Sequence, residues 1–230
     1  MKGRYFHLLI LFISILFLQN CDTIFHKNVK EGSILFEIKY PENEAGDLMA
    51  GLLPNEMVLK FKNDKTAGTF SAGMGVFEAS LITDPHSKSV LQLLKIMNER
   101  YVQSYDSTEI GELFSELPEI KIVKTDEEKT IAGYNCKKAI VTFKDNIKEE
   151  FNVYYTNDIG IKNSNWCTPF REIDGVLLEY QVRKYNYEMR LTALEVVKEE
   201  IDDNAFSVPK EYENISKQKM DEILEPFKNI

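Results

Sequence analysis

Histidine is nearly missing from this chain: of 230 residues only His7, His26 and His86 carry imidazole. None has a partner at motif spacing. There is no H-E-x-x-H, G-x-S-x-G, P-loop or G-x-G-x-x-G, the patterns that place a zinc ligand pair, a nucleophile or a phosphate cradle. Ser216-Lys217-Gln218-Lys219 spells S-x-x-K but lacks the companion S-D-N or K-T-G. It is read as the start of a helix, where a serine hydroxyl suits the first free N–H groups. Cysteine is also scarce, with three residues and no C-x-x-C, which excludes the usual zinc sites. No loop of oxygen ligands suggests calcium. The expectation is therefore no catalytic residue, no metal, no cofactor and no enzyme activity.

Positive charge is the next shortage. Lys and Arg total 28 against 37 Asp and Glu, a net charge of −9. Nucleic-acid binding draws its affinity from neutralised phosphates, so it is excluded as a partner class. An acidic body also disfavours broad contact with anionic lipid headgroups. The acidic run Glu199-Glu200 with Asp202-Asp203 reads as a solvated edge. No internal repeat, low-complexity tract or Pro/Gly/Ser-rich linker divides the chain, which points to one domain.

What is present begins with an apolar run, Leu8 to Leu18, behind Lys2 and Arg4. It is short for a membrane span, which needs about 20 residues. It fits the h-region of an export signal. An uncleaved anchor helix is the other reading. No A-x-A-like cleavage site follows. Instead Leu18-Gln19-Asn20-Cys21 resembles the bacterial lipobox, which implies acylation of Cys21 as the new N-terminus; Asn20 departs from the small residue usual there. The expected organisation is a signal peptide over residues 1–20, a lipid-anchor tether over 21–31, and one domain over 32–230. Loss of the signal moves the net charge from −9 to −11, because Lys2 and Arg4 are its only charges. The expected location is the bacterial cell envelope, lipid-anchored at the outer membrane and facing the periplasm.

Assigning Cys21 to lipid leaves Cys136 and Cys167 as an even pair in a compartment that permits disulfides. A bridge closing a loop of roughly 30 residues would add about 3–4 kcal/mol in the chain-entropy picture. Two separately buried thiols are the alternative.

From Gly32 onward the pattern has period two, the mark of half-buried strands. In SILFEIKY, residues Ile34, Phe36, Ile38 and Tyr40 share a face. MVLKFK, TAGTFSAG, VFEASLIT, SVLQLLKIM, RYVQSY, EIKIVK, KTIAGYNCKKAIVTF, EFNVYYT, GVLLEYQVRKY and YEMRLTALEVVKEEI continue it. Short turns separate most of them, among them Gly73-Met74-Gly75 and Thr83 to His86, which pairs neighbours antiparallel. Gly133, inside an apparent strand, suggests a bulge or a close backbone approach. SVLQLLKIM is apolar on both faces and suggests a covered central strand. Helical signals are few. Asp106 and Glu109 form a capping pair ahead of Ile110, Leu113, Phe114 and Leu117, and Pro118 ends that stripe. Met220, Ile223, Leu224 and Phe227 form a C-terminal amphipathic stripe. GDLMAGLLP, residues 46–54, is ambiguous between helix and loop. The fold class is α+β, mainly antiparallel β: one large curved sheet, an open half-barrel, with a few helices packed on the concave face.

Four stretches carry a family resemblance: Ile131-Ala132-Gly133-Tyr134-Asn135-Cys136-Lys137-Lys138-Ala139, Val153-Tyr154-Tyr155-Thr156, the run from Phe170 to Tyr180, and Phe206-Ser207-Val208-Pro209-Lys210-Glu211-Tyr212. Together they resemble a bacterial lipoprotein family, domain-of-unknown-function family 4412. The resemblance implies a fold similar to the periplasmic lipoprotein-carrier group, a curved antiparallel sheet with a helical lid or plug. It carries over no catalytic residue.

Trp166, the only tryptophan, sits among Asn163, Ser164, Asn165, Cys167 and Thr168. It is either an exposed recognition anchor or a core cover beside Cys167. Two functions remain. One is a lipid-anchored envelope protein that binds a hydrophobic small molecule such as an acyl chain. The other is a scaffold or interaction module for an envelope protein, with the concavity filled by its own side chains.

Overall fold

Alternate burial runs through the first strand, β1 (Glu31–Lys39), where Gly32, Ile34, Phe36 and Ile38 are buried and the residues between them are not. The same logic repeats along the chain. In order come β2 (Glu56–Lys62), β3 (Lys65–Ala72), β4 (Phe77–Asp84), β5 (Ser89–Ile96), β6 (Glu99–Tyr105), the one-turn helix α1 (Ile110–Leu113), and β7 (Ile120–Ile131). Then follow β8 (Tyr134–Phe143), β9 (Glu150–Thr156), β10 (Val176–Lys184), β11 (Tyr187–Val197), β12 (Glu213–Asn214) and α2 (Lys217–Leu224). This computed structural model describes residues 28–41, 53–115, 117–144, 150–184 and 187–226. The signal segment, Cys21, most of the tether, residues 46–52 of the ambiguous stretch and Phe227 lie outside the described residues. Among the described residues no helix is long and apolar enough to cross a membrane.

Among the described residues, twelve strands form one open sheet in the order β12-β6-β5-β4-β3-β2-β1-β11-β10-β9-β8-β7. Every pairing is antiparallel except the short β12–β6 contact. Two meanders thus meet at β1 and β11, and the chain between β6 and β7 joins opposite sides of the sheet.

Local chemistry sets the turns. β7 and β8 are a tight hairpin turning at Ala132 and Gly133, both at positive φ (47° and 85°). Two-residue hairpin turns of this hand need that conformation at both central positions, which favours glycine. Gly133 is therefore a turn residue, and the bulge expected there is not formed. Asp84 Oδ1 accepts from the backbone N–H groups of His86 and Ser87, closing the β4–β5 turn. Asp106 and Glu109 form the reciprocal cap expected of them: Asp106 Oδ1 accepts from Glu109 N, and Glu109 Oε2 accepts from Asp106 N. Ser216 Oγ accepts from Lys219 N and caps α2, as the serine's position implies.

Register places two rows of side chains on one face: Phe36, Met57, Phe70, Ala79, Leu94 and Tyr101, and beside it Ile34, Leu59, Gly68, Leu81, Gln92 and Gln103. The opposite face of the same strands carries Ala67, Ile82, Leu93 and Val102, covered by Phe206 and Tyr212 of the C-terminal segment. Lys62 holds that segment, donating to the Ile201 carbonyl and pairing with Glu31 and Asp203. β5 is apolar on both faces because both are covered, although it lies near an edge of the sheet.

Helices do little of the covering. α1 borders the first face through Ile110 and Phe114, while α2 follows β12 along the β6 edge. The main cover is the connector 157–175 between β9 and β10.

Candidate functional site

The connector is nineteen residues without a regular element. Connections of that length are uncommon in a domain and tend to carry function. Its apolar side chains touch three core clusters in turn. Ile159 and Ile161 pack on the central one with Ile34, Phe36 and Leu191. Cys167 joins Val90 and Tyr105. Phe170 and Ile173 join Val141, Val153 and Leu177. Its start is fixed by a parallel bridge between Val29 and Ile159, and by Lys162 N donating to Asp64 Oδ1.

Its far end is held by one buried amide. Asn165 Nδ2 donates to the carbonyls of Ile173 and Gly175 at 2.9 and 2.8 Å, and Ser164 Oγ also donates to Gly175 O. Gly175 has φ +140°, and a Cβ there would meet Thr156 O at 2.9 Å. Only glycine lets the connector re-enter the sheet this close to β9. A bulge at Leu178 then sets Leu177 and Tyr180 toward the connector. Phe170 meets Tyr180 edge-on at 5.9 Å, and Tyr180 meets Phe36 in the same way.

Sheet and connector line a partly open cavity of about 250 Å³. Its walls come from β1 to β4, β10 and β11 on one side, and from residues 161–170 with Phe114 and Leu117 on the other. Phe36, Met57, Phe70, Leu177 and Met189 make it chiefly apolar. Among the described residues, none that lines it is charged. Its hydroxyl and amide side chains are those of Tyr180, Thr66, Thr83, Ser164, Asn165 and Thr168. The last three are engaged within the connector. Thr66 and Thr83 are cross-strand neighbours whose hydroxyls bond each other at 2.8 Å.

Neither cysteine is in a bridge. Cys136 and Cys167 are free, buried thiols in this structure, and the expected pairing is not formed here. They belong to separate clusters, one with Tyr134 and Ile159, the other with Val90 and Tyr105. A disulfide needs Cα atoms within about 7 Å and facing Cβ atoms. Cys136 Sγ instead donates to Tyr134 O at 3.5 Å. Burial pushes both thiols up to about 12, so neither is a reactive thiolate. Trp166 packs against the Val90–Tyr105–Cys167 cluster. Its Nε1 and the Oε1 of Gln103 are buried without a partner among the described residues.

On the opposite side of β10, Glu179 is 2% exposed yet ionised. Lys129 Nζ lies 2.7 Å from it and Arg190 bonds its other oxygen. Burial pushes its pKa up, but the hydrogen bonds from Lys129 and Arg190 outweigh that and hold it below the usual range. Among the described residues, no group of three acidic, His or Cys side chains is placed to hold a metal ion.

The strand motifs were legible in sequence; the cavity was not. Thr66 and Gly68 lie in TAGTFSAG, where a run of small residues is the one signal that a face leaves room.

Residues 72–223 match the family model described as N-glycanase peptide, N-terminal domain. The chain belongs to this family. The likeness to family 4412 rests on the quoted motifs alone. Among solved structures, one described as the structure of PNGF-II in a C2 space group is similar over 84% of this chain, with 17% identity and a TM-score of 0.53. That likeness is one of fold. The match takes in 32% of the PNGF-II chain, so this chain spans about a third of it. The crystal structure of LprF from Mycobacterium bovis aligns over 80% of this chain and 90% of its own, at 10% identity and a TM-score of 0.29. No curated protein matches.

Proposed function

We propose that this chain is a lipid-anchored protein of the bacterial cell envelope that binds a hydrophobic ligand and catalyses no reaction. The cavity under the connector carries the binding reading. Its wall is chiefly apolar and part open to solvent, so a hydrophobic guest that enters it takes apolar surface of both partners out of water, at about 25 cal/mol per Å².

The sheet serves this role as an open half-barrel. Laid flat, β6 and β7 would stand about 48 Å apart, ten strand spacings. Residues 106–119 must join them, and fully extended they reach only about 50 Å. They include α1 and its capping turn, so a curved sheet meets the constraint and a flat one does not.

The envelope location draws on the apolar run Leu8–Leu18 and on Cys21 behind it, which anchors the chain at the outer membrane, facing the periplasm. The N-terminal mass of the protein purified from bacterial membranes tests this: an acylated Cys21 supports it, and an intact Met1 or an unmodified Cys21 overturns it. For the ligand, native mass spectrometry after detergent-free purification of the domain without its anchor should show a retained apolar mass. A clean apo mass, together with no binding of a neutral fluorescent probe, would sink the binding reading.

The family match favours a second reading. It describes an N-terminal domain of an N-glycanase, so the same fold would serve as an interaction module for an envelope partner. In that case the cavity closes on its own side chains and retains nothing.

A further inference from the structure

We propose that the ligand of this cavity is an uncharged lipid chain bearing a neutral hydrogen-bonding group, an ester or a hydroxyl, seated against the Thr66–Thr83 pair; a free carboxylate is refused. The inference rests on the binding reading above and names its chemical class.

Two observations carry it. Thr66 and Thr83 are each more than nine-tenths buried. Their hydroxyls bond each other, so one O–H donates to the other oxygen and one hydroxyl hydrogen is left over. The structure gives it no third partner among the described residues. Two hydroxyls in a chiefly apolar wall, which also carries the Tyr180 phenol, offer one donor and spare lone pairs to a guest. That suits an ester carbonyl, which accepts, or an alcohol, which does both.

Second, no charged residue lines the cavity among the described ones. A carboxylate placed there would lose its water without gaining a cation, which is far more costly than burying a neutral polar group that keeps a hydrogen bond.

The test is displacement of a neutral naphthylamine probe from the purified domain by three guests of equal chain length: dodecanol, methyl laurate and laurate. The alcohol and the ester should displace it, with laurate weaker by about tenfold or more above neutral pH. Laurate should recover as the pH is lowered through the carboxyl range. The isosteric T66V/T83V variant should bind dodecanol and methyl laurate more weakly, each read against that variant's own affinity for the probe. Laurate equal to dodecanol at high pH overturns the proposal and leaves the binding reading intact. Failure of the probe to bind at all overturns the binding reading and this proposal with it. The comparison of guests needs only the unmodified domain, so it decides even if the variant does not fold.

Discussion

The side-chain amide of Asn165 donates to the Gly175 carbonyl, ten residues further along the chain, at 2.8 Å. With a second bond to Ile173 O, this one buried group ties the connector into a closed loop over the sheet. Replacing Asn165 with Ala takes its donor from the Ile173 carbonyl and leaves the Gly175 carbonyl with Ser164 Oγ alone, at a cost of about 1–3 kcal/mol. Asn165→Asp should be worse near neutral pH, because a carboxylate faces two carbonyl oxygens and can donate to neither. Its defect should shrink in acid as the carboxyl regains a proton. Urea unfolding of both variants at neutral and acid pH checks the order; equal midpoints for Ala and Asp at neutral pH would count against the clamp.

Glu179 gives a pH dependence with a definite sign. Its folded pKa is lowered, so its contribution to stability is fully present above the unfolded carboxylate range. It is lost as the pH falls through the folded value. Glu179→Gln keeps the shape and removes the charge. Lys129 and Arg190 are about half exposed and regain water, so the loss at neutral pH should be modest, about 1–2 kcal/mol. Arg190→Met should cost more, because Glu179 then stays buried with only Lys129. Stability curves over the acid range should converge for wild type and Glu179→Gln. A constant gap down to the lowest pH would remove Glu179 as the titrating group.

The two buried thiols predict indifference to redox conditions. Reductant should leave the thermal midpoint of the folded domain unchanged, and a thiol reagent should modify Cys136 and Cys167 only after unfolding, because burial raises both to about 12. A two-dalton mass increase on reduction, with a lower midpoint, would restore the bridge that cysteine parity suggested. Parity counts side chains; it cannot see that the two belong to different clusters.

That contrast runs through the molecule. The strands were legible because half-burial writes itself as alternation, as in Ile34, Phe36 and Ile38. The Ala132–Gly133 turn was not, because Ile131 and Tyr134 continue the apolar pattern on either side of it. The connector was harder still. Ile159, Ile161, Cys167, Phe170 and Ile173 follow neither period, since each packs against a different part of the sheet. The cavity depends on which strands become neighbours. Thr66 and Thr83 meet through an adjacent hairpin, but Phe36 and Tyr180 meet only because β1 pairs with β11 and β11 with β10.

Gly68 offers the most direct control over the cavity. It lies mid-strand in β3 on the cavity face. A Cβ there would meet Leu59 Cδ1 at 3.4 Å and Met57 Sδ at 3.6 Å, ordinary contacts. Gly68→Ala should therefore stabilise the unliganded domain by about 0.5–1 kcal/mol through reduced backbone freedom. That is a rise of about 2–4 °C in Tm per kcal/mol at this size. The added methyl also takes volume from the guest, so neutral-probe binding should weaken; Gly68→Val should weaken it further. Gly111 in α1 supplies the control, since a Cβ there meets nothing within 4 Å. Gly111→Ala should raise stability similarly and leave probe binding alone. If both alanine variants leave binding untouched while Gly68→Ala raises Tm, the space beside Gly68 is not where the ligand sits, and the cavity belongs to packing rather than to function.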